Sequence, residues 1–215
     1  MKKVFVTRKL LKENEEKLKE LFDVKLNPDD KIYSTAEIIE GSKSFDGILS
    51  SVTDPINSET ISKLSSSIKI IANGAVGFGN IDIKAAREKG ITVTNTPDVL
   101  TDATADIQIL LLLGASRKVY EGRIAAETQN WKWSWDFLLG KQMSNKRLGI
   151  LGMGRIGRAV AKRAKAFGME IHYHNRSKLS SDLEDGAIYH KTIKDLFEQS
   201  EFLSLNCPAT PETTK

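Results

Sequence analysis

The stretch Lys146–Lys178, KRLGILGMGRIGRAVAKRAKAFGMEIHYHNRSK, decides the fold. Leu148–Leu151 is an apolar run long enough for a buried strand and too short for a helix. Gly152, Gly154 and Gly157 follow at G-x-G-x-x-G spacing. From Arg158 to Phe167, the residues Val160, Ala161, Ala164 and Phe167 share one helical face, and Gly168 is placed to stop the helix. Ile171 and Tyr173 then alternate with polar residues as a second strand. Strand, glycine turn, helix and strand in this order are the context in which the glycine spacing carries meaning. The first glycine permits a tight turn, the second lets the backbone approach a pyrophosphate, and the third lets the helix lie close on the sheet. Phosphates at such a turn meet unpaired N–H groups and the positive end of the helix dipole. Residues 146–178 therefore predict a dinucleotide-binding βαβ unit.

The flanking sequence repeats the alternation. Upstream, strands are expected at Lys3–Thr7, Asp23–Leu26, Phe45–Leu49, Ile68–Ala72 and Ile91–Val93, with helices at Leu11–Phe22, Ser34–Glu40, Ser58–Leu64 and Ile81–Lys89 between them. Downstream, SSDLEDGA is expected to be a polar loop, Ile188 a poor strand, Ile193–Gln199 a helix and Phe202–Leu205 a strand. Strands alternating with helices imply an α/β protein with parallel sheets covered on both faces. A doubly wound dinucleotide domain needs two βαβαβ halves. Strands for little more than one are present, so this domain is expected to be incomplete at its C-terminus.

Thr101–Val119 departs from the pattern. It predicts a long helix with an almost continuous apolar centre, Ile107–Leu113, which must be buried between domains or between subunits. Trp131, Trp133 and Trp135 alternate in a loop-like stretch beyond it, suited to packing, to an interface or to the lip of a pocket.

Composition bounds the class. The chain has 215 residues, 40% hydrophobic and 28% charged, as an ordinary globular protein does. A net charge of +4 from scattered Lys and Arg does not imply a nucleic-acid partner. The single cysteine, Cys207, excludes an internal disulfide framework and suits a reducing compartment. The N-terminus has only Val4–Val6 as an apolar run, so no signal peptide is expected. Ile109–Leu113, the longest apolar run, is far short of a membrane span. The expectation is a soluble cytoplasmic protein with no metal centre.

The tip of the second strand selects the nicotinamide cofactor. An NAD-specific fold places Asp or Glu there to hold the ribose 2′-hydroxyl. Here the tip reads His174-Asn175-Arg176-Ser177-Lys178; Glu170 lies at the wrong end of the strand, and Asp182, Glu184 and Asp185 are too far along. Arg176 offers a fork of donors suited to a 2′-phosphate, Ser177 a hydroxyl and Lys178 positive potential. NADPH is therefore preferred, with NAD possible.

Four motifs coincide in order and spacing: Asn73–Asp82 (NGAVGFGNID), Asn95–Asp106 (NTPDVLTDATAD), Gly152–Gly157, and Asn206-Cys207-Pro208 with Pro211-Glu212-Thr213. Together they resemble the D-isomer-specific 2-hydroxyacid dehydrogenases, nearest to the glyoxylate/hydroxypyruvate reductases. The resemblance covers essentially the whole chain. It implies a flavodoxin-like substrate domain over residues 1–97, completed in the family by a C-terminal helix, and a Rossmann cofactor domain over residues 98–215. It implies that Val76 and Gly77 hold the substrate carboxylate with backbone amides. Gly152, Met153, Gly154, Arg155, Ile156 and Gly157 would cradle the pyrophosphate. Asn175, Arg176 and Ser177 would select the adenosine ribose, and Thr104, Cys207 and Pro208 would line the cofactor. The resemblance further implies a homodimer formed through the 101–119 helix and the 120–140 arm, whose tryptophans resemble those of a dimerisation arm.

The resemblance also fixes what is missing. Family catalysis uses an Arg, a Glu and a His that all follow the Cys-Pro motif, and the chain stops at Lys215. His172, His174 and His190 lie on or beyond the second Rossmann strand, away from the reacting oxygen that a general acid must reach. No catalytic residue is assigned. The expected function is NAD(P)H-dependent reduction of small 2-oxoacids, glyoxylate to glycolate or hydroxypyruvate to D-glycerate, with these 215 residues inactive as a fragment. The alternatives are a phosphoglycerate or D-lactate type enzyme using NADH, a nucleotide-sensing protein akin to corepressors of this fold, and an inactive remnant.

Overall fold

The structure is a computed structural model and describes residues 1–129, 131–208, 210 and 213. It forms two compact units, Met1–Val99 and Leu100–Lys215.

The first unit alternates strands and helices: β1 (Lys3–Val6), α1 (Lys12–Leu21), β2 (Asp23–Lys25), α2 (Thr35–Gly41), β3 (Gly47–Ser50), α3 (Ser58–Lys63), β4 (Ile70–Asn73), α4 (Ile83–Glu88) and β5 (Thr92–Thr94). The strands are parallel and lie in the order β2-β1-β3-β4-β5, which is the flavodoxin-like order. Local chemistry sets the helix starts. Ser34 and Glu37 form a reciprocal capping box at α2, and Asn57 and Asp82 each accept from the third backbone N–H of the helix that follows. Gly90, at φ +73°, turns the chain out of α4 into β5. Phe5, Ile38, Ile48, Ile56, Ile61 and Ile71 are fully enclosed between sheet and helices. Truncating any one to Ala is expected to cost about 2–5 kcal/mol.

The second unit holds α5 (Thr101–Ser116), α6 (Val119–Glu127), β6 (Arg147–Leu151), α7 (Arg155–Ala166), β7 (Glu170–His174), α8 (Ser181–Glu184), β8 (Ile188–Tyr189), α9 (Ile193–Gln199) and β9 (Phe202–Leu205). Its parallel sheet runs β8-β7-β6-β9. This equals strands 3-2-1-4 of the doubly wound dinucleotide fold, so the strand order reverses between β6 and β9. Leu148 and Ile150 of β6, Val160 and Ala164 of α7, and Tyr173 of β7 form its centre.

Two expectations are corrected. The long helix ends at Ser116 and a second one, α6, starts at Val119, because Lys118 takes a left-handed conformation at φ +53°. The apolar centre of α5 is partly exposed in the single chain. Ala105 and Ile109 are buried, but Ile107, Leu110 and Leu111 are more than half exposed. The polar stretch SSDLEDGA holds the short helix α8, which ends at Asp185 in a left-handed conformation.

No described helix is long and apolar enough to cross a membrane.

Candidate functional site

In an open α/β sheet, loops leaving the carboxyl ends of the two strands at a switch point diverge and leave a crevice. In the second unit those loops are Gly152–Gly154 after β6 and Asn206–Pro208 after β9. They touch at Gly152, where a methyl group would lie 2.6 Å from the Cys207 nitrogen and 2.7 Å from the Asn206 carbonyl carbon. Gly152 also has φ +96°, so both its conformation and its neighbours require glycine. Gly157 faces inward: a methyl group there would meet the Gly152 carbonyl oxygen at 2.4 Å and the Ile150 side chain at 3.2 Å. Gly154 differs, since nothing lies within 4 Å of the position its side chain would take. It is the N-cap of α7 and has no side chain to occupy the N–H groups of the first turn. The turn thus has two glycines packed shut and one open, and the open one is where a pyrophosphate would approach the backbone. These residues fit a dinucleotide.

The tip of β7 lies beside this turn. Gly152 donates its backbone N–H to the His174 carbonyl at 3.0 Å, and Met153 N–H donates to the Asn175 side-chain oxygen at 2.7 Å. Asn175 therefore ties the two loops together through its side-chain oxygen. Arg176, Ser177 and Lys178 are exposed, and Lys178 Nζ stands 3.6 Å from Glu184. Among the described residues Arg176 makes no ion pair, leaving its guanidinium available to an anion. Below the tip, Tyr173 donates to Glu184 at 2.6 Å and accepts from Leu179 N–H at 3.0 Å, anchoring the 175–180 loop and α8. Burial, reinforced by the bond to Glu184, pushes the Tyr173 phenol up to about 12.

Thr104 is half-buried in the first turns of α5. One helical turn on, Gln108 accepts from Ser204 Oγ at 2.9 Å and donates to Asn206 Oδ1 at 2.7 Å, while Asn206 donates back to Ser204 at 3.0 Å. This triangle fixes the end of β9 and the direction in which Cys207 and Pro208 leave it. Cys207 is half-buried and Pro208 exposed; Ala209, Pro211 and Glu212 of the same motif lie outside the described residues. The three histidines form a separate network. His172 contacts His190 at 2.7 Å and Glu170 at 2.5 Å, and His174 Nδ1 contacts the His190 carbonyl at 2.9 Å. All three are engaged on the β7–β8 side of the sheet. Among the described residues no three His, Cys, Asp or Glu side chains converge on a point where a metal ion could sit.

In the first unit the strand order reverses between β1 and β3. A hollow of about 220 Å³ lies there, lined in part by Arg8, Lys9, Ser50, Ser51 and Gly74. Arg8 is held by Asp30 through two bonds of 2.8 and 2.9 Å, and this keeps the Asp30 carboxyl well below the usual range. Val76 and Gly77 sit in the loop leaving β4 at the same end of the sheet. A second hollow, about 520 Å³, runs along the edge strand β5 and is lined in part by Phe78, Arg87 and Asn95.

Sequence reasoning missed Gln108, Ser204 and Asn206, and also Asn73 and Asn95 of the first unit. Asn73, Asn95 and Asn206 each open a motif quoted above without being given a role, and Gln108 stands as a lone amide inside the apolar run Ile107–Leu113.

Comparison with known proteins agrees with this geometry. The family profile described as D-isomer specific 2-hydroxyacid dehydrogenase, NAD binding domain, matches residues 109–215. A glyoxylate reductase of Korarchaeum cryptofilum is 40% identical over 213 residues, covering 98% of this chain and 64% of the relative. A glycerate dehydrogenase of Hyphomicrobium methylovorum is 39% identical, covering 99% of this chain and 67% of its own length. Among solved structures, a D-isomer specific 2-hydroxyacid dehydrogenase from Polaromonas superposes with a TM-score of 0.89 at 41% identity, covering 99% of this chain and 67% of that one. The chain thus spans about two-thirds of the length of the relatives it matches. In sequence and in fold, it belongs to the D-isomer-specific 2-hydroxyacid dehydrogenases.

Proposed function

We propose that the protein to which this chain belongs is an NADPH-dependent reductase of small 2-oxoacids, converting glyoxylate to glycolate or hydroxypyruvate to D-glycerate in the cytoplasm. The observation that carries this is the β6–α7 turn, open only at Gly154, beside a β7 tip that presents Arg176 and no carboxylate. A bound nicotinamide dinucleotide supplies the hydride for the keto carbon, while a proton goes to the keto oxygen. The chain's own residues bind and orient. Gly152–Gly157 and the start of α7 hold the pyrophosphate, Arg176 and Ser177 the 2′-phosphate, and Thr104, Cys207 and Pro208 the rest of the cofactor. Backbone amides at Val76 and Gly77 hold the substrate carboxylate. The engagement of His172, His174 and His190 along β7 and β8 supports assigning none of them as proton donor. On this reading the 215 residues alone bind cofactor and do not turn over.

The substrate domain is assigned to residues 1–97 and the cofactor domain to 98–215. The exposed Ile107, Leu110 and Leu111, with Trp131, Trp133 and Trp135 also exposed, support a homodimer through the 101–119 segment and the 120–140 arm. The function is tested by titrating the 215-residue chain with NADPH and following nicotinamide fluorescence, then adding glyoxylate. Saturable binding without oxidation is expected; absence of binding, or turnover at the rate of an intact reductase, overturns the proposal. Light scattering of wild type against Leu110→Glu tests the dimer, which the variant is expected to dissociate.

A further inference from the structure

Three consecutive carbonyl groups after β4 are each tied down by a donor from the same unit. Ala75 O accepts from Thr96 N–H at 2.9 Å, Val76 O from Asn95 Nδ2 at 2.9 Å, and Gly77 O from Asn73 Nδ2 at 2.8 Å. A peptide unit is planar and trans, so its N–H points opposite to its C=O. Fixing the carbonyls of residues 75, 76 and 77 therefore fixes the directions of the N–H groups of Val76, Gly77 and Phe78. Among the described residues none of these three N–H groups has a hydrogen-bond acceptor. Backbone N–H groups without partners outside regular structure are suited to an anion.

The clamp is built from the sheet. Asn73 is the last residue of β4, is 2% exposed and pairs in register with Ser50 of β3. Ser50 Oγ lies 3.1 Å from the Asn73 side-chain oxygen and donates to it. The Gly77 carbonyl can only accept, so the carboxamide must turn its NH₂ towards Gly77. Ser50, Asn73 and Gly77 thus form a relay that carries the position of two sheet strands out to the loop. Asn95 reaches the same loop from the segment after β5. The loop needs such anchoring: Gly77 and Gly79 have open space where side chains would be, and an unanchored glycine loop loses much freedom on ordering.

We propose that Asn73 and Asn95 are positioning residues for carboxylate recognition, holding the amides of residues 76–78 in the direction that receives a small 2-oxocarboxylate. The proposal rests on Val76 and Gly77 being the carboxylate site. Losing one neutral hydrogen bond of the clamp is expected to weaken carboxylate binding about three- to tenfold, because the ligand must then order the loop itself.

The test is oxamate titration of the ¹⁵N-labelled 215-residue chain, read at the amide signals of Val76, Gly77 and Phe78. The variants are Asn73→Ala, Asn95→Ala and Asn73→Asp; the last keeps the shape but sets a carboxylate oxygen against the Gly77 carbonyl. Wild type is expected to show saturable shifts at these three amides. Each variant should bind several-fold more weakly, show displaced amide shifts at Gly77 or Phe78 before oxamate is added, and bind NADPH as wild type does. Asn95→Gln should recover part of the loss. If wild type shows no shifts at residues 76–78, the carboxylate site itself is wrong. If wild type responds and the variants bind oxamate equally well, the site stands and the positioning role is overturned. Should Asn73→Ala fail to fold, the half-exposed Asn95→Ala decides on the same terms.

Discussion

The Asn175 side-chain oxygen accepts a hydrogen bond from the Met153 backbone N–H at 2.7 Å, joining the tip of β7 to the glycine turn after β6. Met153 is 2% exposed, so no solvent replaces a lost partner there. Asn175→Ala is expected to cost about 1–3 kcal/mol of stability, the penalty of an unpaired buried donor. Because the bond shapes the turn and touches no 2′-phosphate, it should weaken NADPH and NADH binding by the same factor. Chemical denaturation and parallel titrations check this. Selective loss of NADPH would show Asn175 acting with the groups that select the ribose phosphate.

The three glycines of the turn should respond differently to one methyl group. Gly157→Ala places it 2.4 Å from the Gly152 carbonyl oxygen, a backbone atom, and is expected to destabilise by about 1–3 kcal/mol through overpacking. Gly154→Ala meets open space at an ordinary φ of −78°, so its melting temperature should stay close to wild type. Its methyl would stand where the pyrophosphate approaches, and dinucleotide affinity should fall about tenfold or more. A Gly154→Ala protein with unchanged cofactor affinity would show that the turn does not cradle phosphate.

The fold was legible because periodicity and glycines are local signals. Ile193–Gln199 and Phe202–Leu205 are a helix and a strand residue for residue, and the three spaced glycines announce the β6–α7 turn. What escaped was set by distance. The break after Ser116 has only Gly114, two residues earlier and still helical, as a local mark, and the turn itself is made by Lys118 in a left-handed conformation. The Gln108 to Asn206 bond spans 98 positions, and Asn73 and Asn95 act on a loop reached through different strands. The bond from Met153 to Asn175 was equally hidden, because sequence shows which groups occupy a loop and not which partners the fold gives them. The exposed Leu110 and Leu111 show the same limit, since apolar character asks for cover without naming what provides it.

Acid should loosen the β7–β8 edge. Burial, followed by the neighbouring His172, holds His190 below the ordinary histidine value of 6.5, against an opposing pull from Asp195. Its folded form therefore binds a proton less readily than its unfolded form. The associated stability is fully present above about pH 6.5 and declines as pH falls through the depressed value. Denaturation midpoints at neutral and mildly acidic pH should differ more for wild type than for His190→Gln. An equal pH dependence in both would remove His190 as the cause.

At the alkaline end the sign reverses. Tyr173, ordinarily near 10.0, is pushed up to about 12, so its folded form keeps a proton that its unfolded form loses. That contribution is intact below about pH 10 and is lost as pH rises through about 12. Of the four tyrosines, one should ionise late in an absorbance titration, and Tyr173→Phe should remove that late phase.

The claim on which the functional account turns is that Arg176, standing where an acid would select NAD, directs this turn to NADPH. Fluorescence titration of the 215-residue chain with NADPH and NADH, before and after Arg176→Ala, tests it most directly. Wild type is predicted to bind NADPH more tightly, and the variant to lose about tenfold or more of NADPH affinity while NADH affinity stays unchanged, since charge-assisted bonds to phosphate are worth about 1.5–3 kcal/mol. Equal affinities for the two cofactors, unaltered by the substitution, would contradict it.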